Sequence, residues 1–163
     1  MPTMENALAI ANYFVKKANN EGVELSPMKL LKLVYIAHGW HLAIKDQELI
    51  DETVEAWQYG PVVPSVYHEF KKYKSSQVTQ PGYLFTEQAK IITPMVEDDA
   101  TVQFLNKIWD VYKIYNGLQL STLTHQPNTP WDIVYNKEKG SIIRNQLIKD
   151  HYLTKAQNST VVG

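Results

Sequence analysis

The chain has 163 residues, no cysteine and a formal net charge of −1, with 44% hydrophobic and 20% charged residues. That length is one ordinary domain with enough apolar material for a core, and the balance excludes a wholly disordered chain. The lack of cysteine removes disulfides, thiolate zinc sites and cysteine nucleophiles, and the near-neutral charge argues against a dedicated nucleic-acid binder.

Taken in chain order, Leu8, Ala11, Val15 and Ala18 predict a first helix over residues 6–20, with Gly22 closing it. Ser26-Pro27 is a helix start, Ser as N-cap and Pro at the first helical position. The run from Leu30 to Trp40 is apolar on nearly every side, with Lys29 and Lys32 near its start, and predicts a buried central helix. Residues 46–57 read as a small ribbon in which Leu49-Ile50 and Val54–Trp57 flank Asp51-Glu52, and Tyr59-Gly60-Pro61 then turns the chain.

Pro64-Ser65 opens a helix with Val66, Tyr67, Phe70 and Tyr73 inward and Lys71, Lys72 and Lys74 outward. Residues 74–85 read as a loop, and Thr86 as the cap of a short helix ending before Pro94. Glu97-Asp98-Asp99 heads a long helix, where the helix dipole favours negative charge, and Asn116-Gly117 closes it. Ser121 reads as the N-cap of a short helix closed by Pro127. Thr129-Pro130-Trp131 starts another, and a last helix covers residues 145–155. The expected fold is mainly α, a compact multi-helix domain of residues 1–155 around a buried central helix with one small β-hairpin. Residues 156–163 read as a flexible tail.

No stretch has the length and apolar character of a membrane span, and the N-terminus has no basic segment followed by an apolar one. A cytoplasmic protein is expected. His38 and His41 lie three apart without the other ligands a metal needs, and Ser121 and His125 lie four apart without an orienting group or oxyanion hole. No phosphate-binding glycine loop is present. The expectation is therefore no enzyme, no catalytic residue, no metal and no cofactor. Four Trp and ten Tyr point instead to core packing and to aromatic anchors for a protein partner.

Four segments together carry a resemblance. They are Met28 to Leu42, Glu55 to Tyr67 (with Trp57-Gln58-Tyr59-Gly60-Pro61 at its centre), Leu123-Thr124-His125 followed by Pro130-Trp131, and Ile148 to Tyr152. In order and spacing they resemble the Panacea domain, the SocA-like antitoxin family, whose members are often labelled phage-associated proteins. The resemblance covers residues 6–155 and departs at Ile36, where a second Tyr is often seen.

It implies an antitoxin of a toxin–antitoxin module that neutralises a neighbouring toxin by direct binding. The alternative is a phage or mobile-element protein that binds a host factor or acts as a protease adaptor, without a toxin. The implied partner is the cognate toxin encoded next door; neither a membrane nor nucleic acid is expected, and a homo-oligomer is left open. Trp40, Trp57, Tyr59, Gly60, Pro61, Tyr67, His125 and Trp131 are the candidates for a partner-binding surface or for the scaffold beneath one. Within that set, Trp57 to Pro61 are expected to fix the exit from the ribbon into the next helix. His125 and Trp131 are expected to lock the short C-terminal helices onto the core.

Overall fold

A computed structural model describes residues 4–162, with side chains as far as residue 158. Among these residues the chain forms seven α-helices and five short strands, so the fold is mainly α. Helix α1 (Ala7–Glu21) is capped by the Asn6 side chain, which accepts from Leu8 N, and ends at Gly22 with φ +66°. Helix α2 (Pro27–Lys45) starts as expected, with Ser26 Oγ accepting from Lys29 N at 3.1 Å.

Helix α2 is buried over almost its whole length, Lys29, Lys32, His38 and His41 included. It lies at the centre because its sequence offers no polar face to water. Helices α1, α4 (Asp99–Tyr112), α5 (Gly117–Thr124) and α7 (Asn145–Val162) all pack against it. Helix α7 crosses α2 closely at one point, where the ring of Tyr152 lies over Gly39.

The ribbon exists, but its pairing differs from the expectation. Strand β1 (Val54–Trp57) pairs antiparallel with β2 (Gly60–Val62), so the hairpin turns at Gln58-Tyr59. The Trp57–Pro61 segment is thus the hairpin itself and not its exit. On its other edge β1 pairs with β5 (Ile142–Ile143), giving the order β2-β1-β5. Ile50 instead makes an isolated parallel bridge with Glu5. Two isoleucines between polar turns carry too little periodicity to announce β5, whose pairing is entirely long-range.

Helix α3 (Pro64–Phe70) follows directly and runs into a 3₁₀ turn over Lys71–Tyr73. The expected helix at Thr86 is a second hairpin, β3 (Leu84–Phe85) with β4 (Ile91–Ile92), and Thr86 serves its turn by bonding to Lys90. Asn12, buried in α1, holds this region down: its Nδ2 donates to the carbonyls of Gly82 (3.1 Å) and Pro94 (2.9 Å), and Gly82 N donates to its Oδ1 at 2.7 Å. Asn12→Leu should cost about 3 kcal/mol, because it leaves both backbone groups of buried Gly82 and the part-buried Pro94 carbonyl without this partner. Limited proteolysis should then cut residues 74–97 faster than in the parent.

Helix α4 begins at the acidic run as expected, and within it Asp98 is the cap, accepting from Thr101 N at 2.9 Å. Asn116 does not close that helix; it caps α5 in a capping box with Gln119, so α5 begins at Gly117 and Ser121 lies inside it. Thr129 caps α6 (Pro130–Tyr135) as expected. Helix α7 continues past Lys155 to Val162, so helical backbone occupies most of the stretch expected as a tail; Gly163 lies outside the described residues.

Candidate functional site

The β1–β2 hairpin is held by its carbonyls. Trp131 Nε1 on α6 donates to Trp57 O at 2.5 Å, Ser121 Oγ on α5 donates to Tyr59 O at 2.7 Å, and Lys32 Nζ on α2 donates to Pro61 O at 3.0 Å. Three alternate carbonyls of one short motif are thus taken by side chains from three different helices. The three carbonyls lie on β1, at the turn and on β2, so the grip runs around the hairpin from one strand over its tip to the other.

Gly60 makes room for this grip. Its φ is +121°, and a Cβ there would sit 2.8 Å from Lys32 Nζ and 3.3 Å from Thr124 Oγ1. Any side chain would be both strained and in collision. Tyr59, at the tip, has 60% of its surface exposed.

Trp57 packs edge-on to Tyr67 with ring centroids 5.0 Å apart, and its Nε1 donates to Glu55 Oε1 at 2.9 Å. His125 lies edge-on to Trp131 at 5.4 Å, and Trp131 stacks on Tyr135 at 4.5 Å. Seven of the eight candidates therefore gather at or behind one hairpin. Trp40 does not: it lies eight positions beyond Lys32, about 12 Å further along α2. There its Nε1 donates to Tyr112 OH at 2.8 Å and its ring meets Tyr152 at 5.0 Å.

Beside the hairpin runs a groove of about 500 Å³. Met28, Leu31 and Lys32 of α2, Trp57, Tyr59 and Val62 of the hairpin, and Tyr67 and Phe70 of α3 form its walls, with Lys71 and Lys74 at the following turn. Lys32 has 1% of its surface exposed, and burial pushes its ammonium down to about 7 from the usual 10.5. Desolvation is the cause of that shift, and no carboxylate offsets it.

Ser121 and His125 are close, with Oγ 3.3 Å from Nδ1. The Ser121 hydroxyl proton, however, points at Tyr59 O, so the ring can only donate to Oγ. In this arrangement Ser121 is a carbonyl anchor, and the N-cap role expected for it is replaced by this one. Ser121→Ala should cost about 1–3 kcal/mol, since Tyr59 O loses its partner. Chemical denaturation measures this; an unchanged midpoint would show that Ser121 is not needed to hold the hairpin.

His38 Nε2 lies 3.0 Å from Asn145 Oδ1 and His41 Nδ1 lies 2.7 Å from Gln47 O, so the two rings serve separate partners. Burial lowers both of their pKa values. Among the described residues, no three His, Asp or Glu side chains group in a way that could hold a metal, and no helix is long and apolar enough to cross a membrane.

The family model described as Antitoxin SocA-like, Panacea domain, matches residues 30–132. This chain belongs to that family. The matched stretch runs from α2 to α6 and contains all three carbonyl donors and the whole hairpin. The chain is also similar to Antitoxin SocA of Caulobacter vibrioides (strain NA1000 / CB15N), at 27% identity over 164 aligned positions, covering 93% of this chain and 84% of the relative. No solved structure matches it.

The family resemblance seen in the motifs therefore stands. Sequence reasoning did not single out Lys32 and the groove. The available signal was a charged residue inside a helix with no polar face, which has nowhere to go but inward.

Proposed function

We propose that this chain is the antitoxin of a toxin–antitoxin pair and neutralises a toxin encoded beside it by direct protein–protein binding, without catalysis. The observation that carries this reading is the family match across the clamped hairpin and its groove. Similarity over most of the chain to Antitoxin SocA supports it.

The surface is compatible with partner binding. Tyr59 stands out at the hairpin tip, and Val111, Ile114 and Leu118 expose apolar side chains where α4 gives way to α5. Exposed aromatic and apolar groups of this kind supply the central contacts of interfaces.

The test is expression of the adjacent gene alone and together with this chain. Growth arrest in the first case and normal growth in the second is the expected result, with the two proteins co-purifying. A neighbour that is harmless alone, or that stays toxic beside this chain, would overturn the proposal.

A further inference from the structure

We infer that the groove beside the β1–β2 hairpin takes an acidic segment of the protein partner, an Asp or Glu side chain meeting Lys32 while neighbouring apolar or aromatic side chains lie along Trp57, Tyr67 and Phe70. This rests on the reading of the chain as a protein-binding antitoxin.

The first observation is a buried cation without a counter-ion. Lys32 makes a single hydrogen bond, to Pro61 O, although an ammonium carries three donors. It takes part in none of the ion pairs formed among the described residues. A buried ammonium is relieved by giving up its proton or, if it keeps it, by meeting a charge of opposite sign in good geometry.

The second observation is the charge of the groove. Lys32, Lys71 and Lys74 line it, and no Asp or Glu does. A positive, partly dry groove strengthens its attraction for a carboxylate, because the low local dielectric magnifies the interaction.

The third observation is the wall chemistry. Met28, Leu31, Trp57, Tyr59, Tyr67 and Phe70 present apolar and aromatic surface around the cation. Such a wall suits side chains flanking an acid in a polypeptide. Lys32 also has a structural job, since it holds Pro61 O. That job explains one of its three donors and leaves the missing counter-charge unexplained.

The test is selection of binders from a random peptide display library against the folded full chain, and in parallel against Lys32→Met. The parent should enrich peptides with an Asp or Glu next to an aromatic or aliphatic residue. Replacing that acid by its amide should weaken binding about thirtyfold or more, the factor for losing one partner of a buried charge pair. At about pH 7 Lys32→Met should lose the acidic preference while its melting temperature stays at or above that of the parent.

A Lys71→Ser/Lys74→Ser variant changes only the rim. It should keep the preference at reduced affinity, and it serves if Lys32→Met does not fold. Enrichment without acidic residues, an unchanged preference in Lys32→Met, loss of the preference in the rim variant, or binding of a labelled single-stranded oligonucleotide in place of peptides would each overturn the inference. The co-expression test reports separately on the antitoxin reading, so either can fail while the other stands.

Discussion

Gly39→Ala is expected to destabilise the protein by about 2–4 kcal/mol, despite the roughly 1 kcal/mol that alanine gains over glycine in a helix. A Cβ at residue 39 would lie 2.2 and 2.4 Å from two ring carbons of Tyr152. The ring cannot swing aside, because it is buried between Tyr35 and Trp40 with centroids 6.2 and 5.0 Å away. The strain must pass to the helices, and α7 moves off α2. For a chain of this size the melting temperature should fall by roughly 5–12 °C. Adding Tyr152→Leu to Gly39→Ala should cost less than the sum of the two single changes, since the collision is then gone. A Gly39→Ala protein as stable as its parent would show that the two helices do not approach this closely.

Lys32→Met should change how stability depends on pH. Burial lowers the Lys32 pKa from 10.5 to about 7 in the folded chain. Between those values the unfolded chain holds a proton that the folded chain has released. Stability attributable to Lys32 therefore rises with pH from about 7 towards 10.5, and the cost of burying the charge is greatest below 7.

Other groups bound this window. Buried Tyr35 and Tyr152 have raised pKa values, so their contribution is lost as pH climbs past 10. Buried His38 and His41 have lowered ones, so theirs is lost as pH drops below 6.5. Methionine matches the shape of the lysine stem without its charge. At about pH 6 to 7 the variant should equal or exceed its parent. At about pH 9 it should fall about 1–2 kcal/mol below, because Pro61 O has lost its donor. Melting curves across that range should cross. Parallel curves would mean that the Lys32 ammonium is not desolvated.

What was legible in the sequence follows from how local its cause is. The caps at Ser26 and Thr129, and the helix starts at Asn6 and at the acidic run before α4, were readable because a helix start is set by near neighbours. The central position of α2 was readable because its apolar character is continuous. The pairing of β1 was not, since one of its partners is β5, far along the chain, and two-residue strands carry no periodicity. Asn116 was misassigned to the end of α4 because Asn-Gly can both end and begin a helix; only Gln119 three residues on, completing the capping box, favours the second. At the site, the aromatic and Gly-Pro motif was visible as composition. Its clamp was not, because the donors Lys32, Ser121 and Trp131 become neighbours only in the folded chain.

That clamp has a consequence for the order of events during synthesis. The hairpin emerges from the ribosome before two of its three anchors, Ser121 and Trp131, have been made, and before β5 can pair with it. A two-stranded ribbon alone is at best marginally stable in water. Tyr59 O has no side-chain partner until α5 is out and Trp57 O has none until α6 is out, and before then the groove wall they support has no fixed shape. Competence of this surface therefore arrives late. A polypeptide interrupted before residue 131 would carry the hairpin motif in full and still lack the shaped surface that the motif helps to build.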